Sequence, residues 1–395
     1  MSNVAGRLGG GVSEVVHALL NYQNKLGYKT TLWFMGHKKQ ETEIAFDNAI
    51  DKSRLTSIGS KFFIPPSFFF KLRKINNNNL LIHQHGVFLP LSLLSLSVSR
   101  KTKVIISPHG YLEPEKLRVS WLKKKLVLAL FEKRNLKNSD CLVACSKKEA
   151  ISLRDFGLSQ PIAILPNGVN DSLIKKNPLS NQQAGFKTKY SIDKNTRVLL
   201  FLSRIHPFKG LQLLLKSIIK IKEDFRKNNW IFVIAGIDEL SHEKKLKALV
   251  KENGIQDIVR FVGPQYNQDK IDTFDSADCF ILPSKGENFG IVVTEALARG
   301  IPVITTKETP WNELEIENCG WWIERSQEDF ISTILKLFSK DKTHLIKMGQ
   351  NGIKLVERKY SWSKVAQQSI KMYEWVLNDF NEEYKKGFMT LKVND

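Results

Sequence analysis

The chain has 395 residues, 42% hydrophobic and 25% charged, a balance that excludes a disordered or fibrous protein and allows two domains or one large one. A net charge of +20 fits an anionic partner, whether nucleic acid, an anionic membrane surface or an anionic substrate, or else a solvated basic face. The four cysteines (Cys141, Cys145, Cys279, Cys319) lack zinc spacing, so free buried thiols in a reducing compartment are expected and a metal site is not.

In chain order, residues 12–26 read as a helix and TTLWFM (30–35) as a strand. LLIHQH (80–85), KVIISP (103–108) and DCLVAC (140–145) are further strands, with helices over 88–99 and 117–137. A turn signal, Pro166-Asn167-Gly168, then interrupts the series. The polar stretch Lys175–Asn195 is expected to cover a hinge. The alternation restarts with strands at 197–203, 230–236, 259–263, 278–283 and 302–306, and helices at 210–223, 240–253, 290–299, 326–339 and 361–378. Strands separated by helices imply parallel sheets, and near-continuous Val, Ile, Leu and Phe implies sheets covered on both faces. The expected fold is α/β, with two doubly wound Rossmann-like domains facing across a cleft. Residues 1–168 form the first and 169–360 the second, and a helix in 361–395 packs back towards the first. The longest apolar runs, 88–98 and 126–131, are too short to span a membrane, and no export signal opens the chain, so a cytoplasmic protein is expected.

Ligands of open parallel sheets bind at the carboxyl ends of strands. There the sequence places Ser203-Arg204, Gly236, Gly263-Pro264 and Ser284 to Gly290 in the second half. His85-Gly86 and Pro108-His109-Gly110 stand there in the first. Arg204 and Lys209 flank a Pro-containing turn before a helix, which together suit a phosphate. As a bland alternative, they are two surface cations. In SKGENFGIVVTEALA, Gly286 and Gly290 allow close approach of a ligand, with the amides of Asn288, Phe289 and Gly290 at a helix N-terminus. Glu287 lies in the loop, or serves only as a helix-N-terminal acid. Glu295 stands among apolar neighbours. A buried carboxylate needs a partner, such as ribose hydroxyls, unless it lies on a narrow solvated stripe.

The pattern Glu287-x7-Glu295 with Phe289-Gly290, preceded by Arg204 and Lys209, resembles the retaining glycosyltransferases of family 4, which have the GT-B fold. SPHGYLEPEKL (107–117), CSKKEA (145–150), LPNGVN (165–170) and ETPWNELEIENCGWW (308–322) resemble its bacterial cell-surface polysaccharide members. The resemblance implies that Arg204 and Lys209 hold the donor diphosphate in place of a metal, and that Glu295 binds the ribose. It puts Glu287 by the transferred sugar, and the amides of Asn288, Phe289 and Gly290 against sugar or phosphate. His109 would lie near the transferred sugar, and Gly10 and Gly11 would face donor phosphates and acceptor. No cofactor or metal is implied beyond the nucleotide-diphosphate sugar substrate. The acceptor would be a saccharide, lipid-linked in this group. His83 and His85 are read as strand-end or acceptor-side residues.

Segment 117–137 mixes Trp121, Leu126, Leu128 and Phe131 with lysines. It is expected either to lie on an anionic membrane surface, placing the enzyme at the inner face of the plasma membrane, or to pack into the core with a basic solvent side. Family members open with an apolar strand before the glycine pair, whereas MSNVAGRLGGG begins almost at the loop. The first strand of the N-terminal sheet is therefore expected to be missing. Two alternatives stand beside the transferase: a GT-B sugar-nucleotide epimerase, and a non-catalytic nucleic-acid-binding protein. Against the latter, the aromatic residues do not interleave with the basic cluster as a stacking platform requires, so no nucleic-acid partner is expected.

Overall fold

The computed structural model describes residues 10–34, 55–57, 80–98, 101–174, 183–385 and 388–391. Expectations that rest on residues 1–9, the first strand included, lie outside the described residues. The strands, in chain order, are β1 (Leu32–Phe34), β2 (Leu55–Ser57), β3 (Leu81–His85), β4 (Lys103–Ser107), β5 (Cys141–Ala144) and β6 (Ile162–Ile164). They continue with β7 (Arg197–Leu202), β8 (Trp230–Ala235), β9 (Val259–Gly263), β10 (Cys279–Leu282), β11 (Val303–Thr306), β12 (Gly320–Ile323) and β13 (Met389–Leu391).

The chain forms two compact units: Met1–Gly168 with Trp362–Asp395, and Val169–Ser361. In the first, β3, β4, β5 and β6 pair in parallel, and β13 closes one edge antiparallel to β6. The short parallel pair β1–β2 forms a sheet of its own. The core gathers Val104, Ile106, Leu136, Leu142, Ala144, Ile162 and Leu391. The helix Gly10–Lys25 meets the helix Trp362–Leu377, where Gln23 Nε2 donates to Ser369 Oγ at 2.8 Å.

In the second unit all six strands are parallel, in the order β12-β11-β10-β7-β8-β9. The chain runs outward from β7 to β9, returns to β10 beside β7, and runs outward the other way. This is the doubly wound order, and the crevice for a ligand opens where the direction reverses, between the carboxyl ends of β7 and β10. Val198, Leu199, Leu200 and Phe201 are fully buried, as are Phe280, Ile281 and Leu282. The unbroken apolar runs follow from helices covering both faces.

Several boundaries differ from expectation. The helix expected over 88–99 is confined to Leu91–Ser95, because Phe88 is left-handed (φ 64°) and Pro90 is its N-cap. The stretch 117–137 breaks at Val119 and left-handed Ser120, then runs through Trp121–Val127, a π-turn (Leu128–Glu132) and Lys133–Asn138. The helix expected over 210–223 breaks at Ile221, and the stretch expected to cover a hinge holds a helix, Gln183–Lys189. Four strands not expected from the sequence (β2, β6, β12, β13) are too short for a periodic signal. The helices Lys147–Asp155, Asn267–Asp275 and Lys342–Leu355 are also additions. The first of these carried a legible start: Ser146 caps it by accepting from the Glu149 amide, in a Ser-x-x-Glu pattern.

Candidate active site

At the switch point of the second unit, two loops are laced together. After β7, His206 Nδ1 accepts from the Phe208 amide and starts the turn Pro207–Lys209. Gly210 follows at φ +78°, and a Cβ there would come within 1.9 Å of the Pro283 carbonyl oxygen. Only glycine fits, so the β7 loop lies directly on the end of β10. The Lys285 amide then donates to the Phe208 carbonyl at 2.9 Å. This lacing brings Lys209 Nζ to 2.5 Å from Glu287 Oε1, and Ser284 Oγ donates to the same oxygen at 2.6 Å. The Lys209 and Glu287 side chains are only 12% and 13% exposed. A cation and a carboxylate thus stand together in a nearly enclosed crevice, where charge acts over short range with little screening.

The loop beyond Glu287 is fixed from behind. The Phe289 side chain is buried against Trp311 and Tyr360, so only its backbone can face the crevice. Trp311 Nε1 donates to the Phe289 carbonyl at 2.5 Å. Tyr360 and Lys359 both hydrogen-bond Glu313, and burial followed by Glu313 pushes the Tyr360 phenol well up. Gly290, at φ +84°, caps the helix Ile291–Ala298, whose first amides, like those of any helix, lack acceptors within the helix.

The remaining expected donor-site residues are paired elsewhere. Glu295 is largely buried, and its carboxylate meets Lys270 Nζ at 2.5 Å, so its partner here is an ammonium. Lys270 stands on the helix Asn267–Asp275, which hydrophobic periodicity did not reveal. Arg204 is 61% exposed and turns to Glu239, 3.0 Å away, on the loop after β8. The structure therefore brings Lys209, Glu287 and Ser284 together, and holds Arg204 and Glu295 in separate ion pairs.

The first unit has a polar cluster of its own. His109 follows β4 in a left-handed conformation (φ 54°). Its turn is pinned by Glu149, which accepts from the Gly110 amide at 2.5 Å and the Cys145 amide at 2.7 Å. His109 Nε2 lies 3.0 Å from His85 Nδ1, and the His83 and His85 rings are 4.0 Å apart. His83 bonds Ser107 Oγ (2.7 Å) and Tyr373 OH (2.8 Å). The three rings border one cavity with Ser107, Cys145 and Asn167. Burial lowers His109 to about 4 and holds His83 and His85 well below the usual histidine range, so all three are neutral near pH 7. The signal for His83 and His85 was present: in His-Gln-His both histidines fall on one face of a strand. Gly10 and Gly11 open the helix Gly10–Lys25, and a Cβ at Gly11 would meet no atom within 4 Å.

Two Rossmann-like units, one with a paired lysine and glutamate at its switch point, define the class: an α/β protein with a mainly parallel sheet in each unit. The family model described as "Glycosyl transferases group 1" matches residues 182–355, and "Glycosyltransferase Family 4" matches residues 9–173. The chain belongs to the family 4, group 1 glycosyltransferases, with their two-domain GT-B fold. An uncharacterized glycosyltransferase of Methanocaldococcus jannaschii is 27% identical over 54% of this chain and 54% of its own. The lipopolysaccharide 1,2-N-acetylglucosaminetransferase of Salmonella typhimurium is 28% identical over 52% of this chain and 55% of its own. The chain thus spans about half the length of these curated relatives. The crystal structure of a glycosyltransferase from Rickettsia africae shares the fold, with TM-score 0.75, 20% identity, and coverage of 96% of this chain and 98% of that one.

Proposed function

We propose that this protein transfers a sugar from a nucleoside-diphosphate sugar to a saccharide acceptor, with retention at the anomeric carbon. The observation that carries the reading is the enclosed Lys209–Glu287 pair at the switch point. Glycosyl transfer separates charge in this way: negative charge grows on the departing diphosphate while the sugar becomes oxocarbenium-like. Lys209 meets the diphosphate. Arg204, exposed enough to exchange Glu239 for phosphate oxygens, joins it, and the two cations take the place of a metal. Glu287, oriented by Ser284, faces the sugar and favours positive charge at the anomeric carbon. The backbone of Asn288, Phe289 and Gly290 holds sugar or phosphate. Glu295 accepts from the ribose hydroxyls, with Lys270 keeping its carboxylate in place. On the first unit, neutral His109 donates to the transferred sugar, and Gly10 and Gly11 leave room for phosphates and acceptor.

The acceptor is a lipid-linked saccharide of bacterial surface polysaccharide synthesis, a reading supported by the name of the Salmonella relative. The reaction then takes place in the cytoplasm, at the inner face of the plasma membrane. A thermal-shift panel of UDP-, GDP- and other sugar nucleotides tests the donor reading. One of them raises the melting temperature, and Lys209→Ala abolishes that rise. A panel without any shift, together with unchanged turnover in Lys209→Ala, would sink the reading. NMR of the product's anomeric proton tests retention.

A further inference from the structure

We propose that segment 114–138 docks the protein on an anionic lipid bilayer. Exposure distinguishes the two sequence readings of this segment. In a core-packing helix the leucines turn inward and the lysines outward. Here Val119, Trp121, Leu122, Leu126 and Leu130 are between 55% and 68% exposed. No residue of Pro114–Arg118 or of Trp121–Val127 is buried. Leu122, Leu126 and Leu130 recur every four residues and share one face, which turns to solvent. Lys123 and Lys125 are exposed beside them, with Lys116, Arg118, Lys133, Arg134 and Lys137 exposed along the same segment. The segment's acids are Glu115, which is exposed, and Glu132, which is fully buried.

Glu132 explains how such a surface is held out. It sits in the π-turn and accepts from the Phe88 amide at 2.7 Å, Ser92 Oγ at 2.8 Å and Asn135 Nδ2 at 3.0 Å. Asn135 and Leu136 are buried beside it. The C-terminal half of the segment is thus anchored to the body of the first unit, while in the N-terminal turns Leu117 packs against the core and Val119, Trp121, Leu122 and Leu126 stay exposed.

The chemistry selects the occupant. Nucleic acid would use the lysines but leave the outward leucines unsatisfied. A second copy would bring the same basic surface, in a chain of net charge +20, and would be repelled. An anionic bilayer takes both features at once: leucines and Trp121 enter the headgroup–acyl boundary while lysine stems reach back to lipid phosphates. The inference does not rest on the proposed reaction, because binding is read without any transfer.

Co-sedimentation of the full chain with phosphatidylglycerol-containing vesicles, against phosphatidylcholine alone, tests it. The protein partitions onto the anionic vesicles, and less as salt is raised. The double change Leu122→Ser, Leu126→Ser lowers that partition roughly tenfold or more, since it removes two membrane-buried side chains. Its melting temperature stays unchanged, because both side chains are exposed in the free protein. The pair Lys123→Ser, Lys125→Ser lowers the preference for anionic over neutral vesicles. Equal sedimentation of wild type and the leucine variant overturns the proposal, as does absence of binding. So does a dimer, seen by light scattering, that the leucine variant dissolves.

Discussion

Lys209 and Glu287 are the residues on which most turns. Lys209→Ala is expected to lower kcat by about 100-fold or more, the scale on which loss of a preorganised charge acts. It also leaves the nearly buried Glu287 without its cation, which costs about 3 kcal/mol or more of stability. Melting and turnover, measured together, separate the two effects. Arg204→Ala carries no such stability cost, because its pair with Glu239 is exposed, yet it too reduces turnover. Glu295 was expected among apolar residues with a ligand hydroxyl for a partner, and the structure adds Lys270. Glu295→Ala is predicted to raise the donor KM about tenfold with a smaller effect on kcat, and Lys270→Ala to follow it more weakly. A donor KM unchanged in both variants would remove Glu295 from the donor site. The motif residues were legible because glycine, carboxylate and cation at strand ends imply a ligand. Their partners were not, because Lys270 and Glu239 lie on other elements, far from them in sequence.

Among the elements, the lacing of the two switch-point loops is the most exposed to test. Gly210→Ala combines a left-handed backbone with a Cβ placed against a carbonyl, and should cost about 3 kcal/mol or more, seen as a lower melting temperature. Trp311→Phe keeps an aromatic ring but loses the indole N–H that bonds the Phe289 carbonyl and leaves part of a fully buried volume empty, an expected loss of about 2–4 kcal/mol. The histidine cluster predicts a pH response. His83, His85 and His109 have folded pKa values below the unfolded one, so the unfolded chain binds more protons in that range. Their contribution to stability is fully present above about pH 6.5 and is lost as pH falls towards 4. Glu113, pushed up to about 7 by burial and then by Glu149, works the other way, losing its contribution as pH rises through 7. Burial also lowers His17 and raises Glu132, so in the first unit four histidines oppose two glutamates, and melting should drop between pH 7 and 4, with His85→Asn flattening the drop.

For the whole molecule, a charge of +20 was compatible with several partners. Gel shifts at physiological salt should show no tight nucleic-acid binding, and turnover should survive a chelator if Arg204 and Lys209 suffice. Among the described residues no helix is long and apolar enough to cross a membrane. The Rossmann-like character and the restart after Gly168 were readable from the sequence alone. Apolar runs at strand length and amphipathic runs at helix length are local signals, and so are glycines and charges at strand ends. Strand order is not local, and only the tertiary structure placed β10 beside β7, which makes a crevice of two loops some eighty residues apart. Tertiary packing also decided the direction in which Leu122, Leu126 and Leu130 point. Periodicity defines a face of a helix, but what covers that face depends on the rest of the chain.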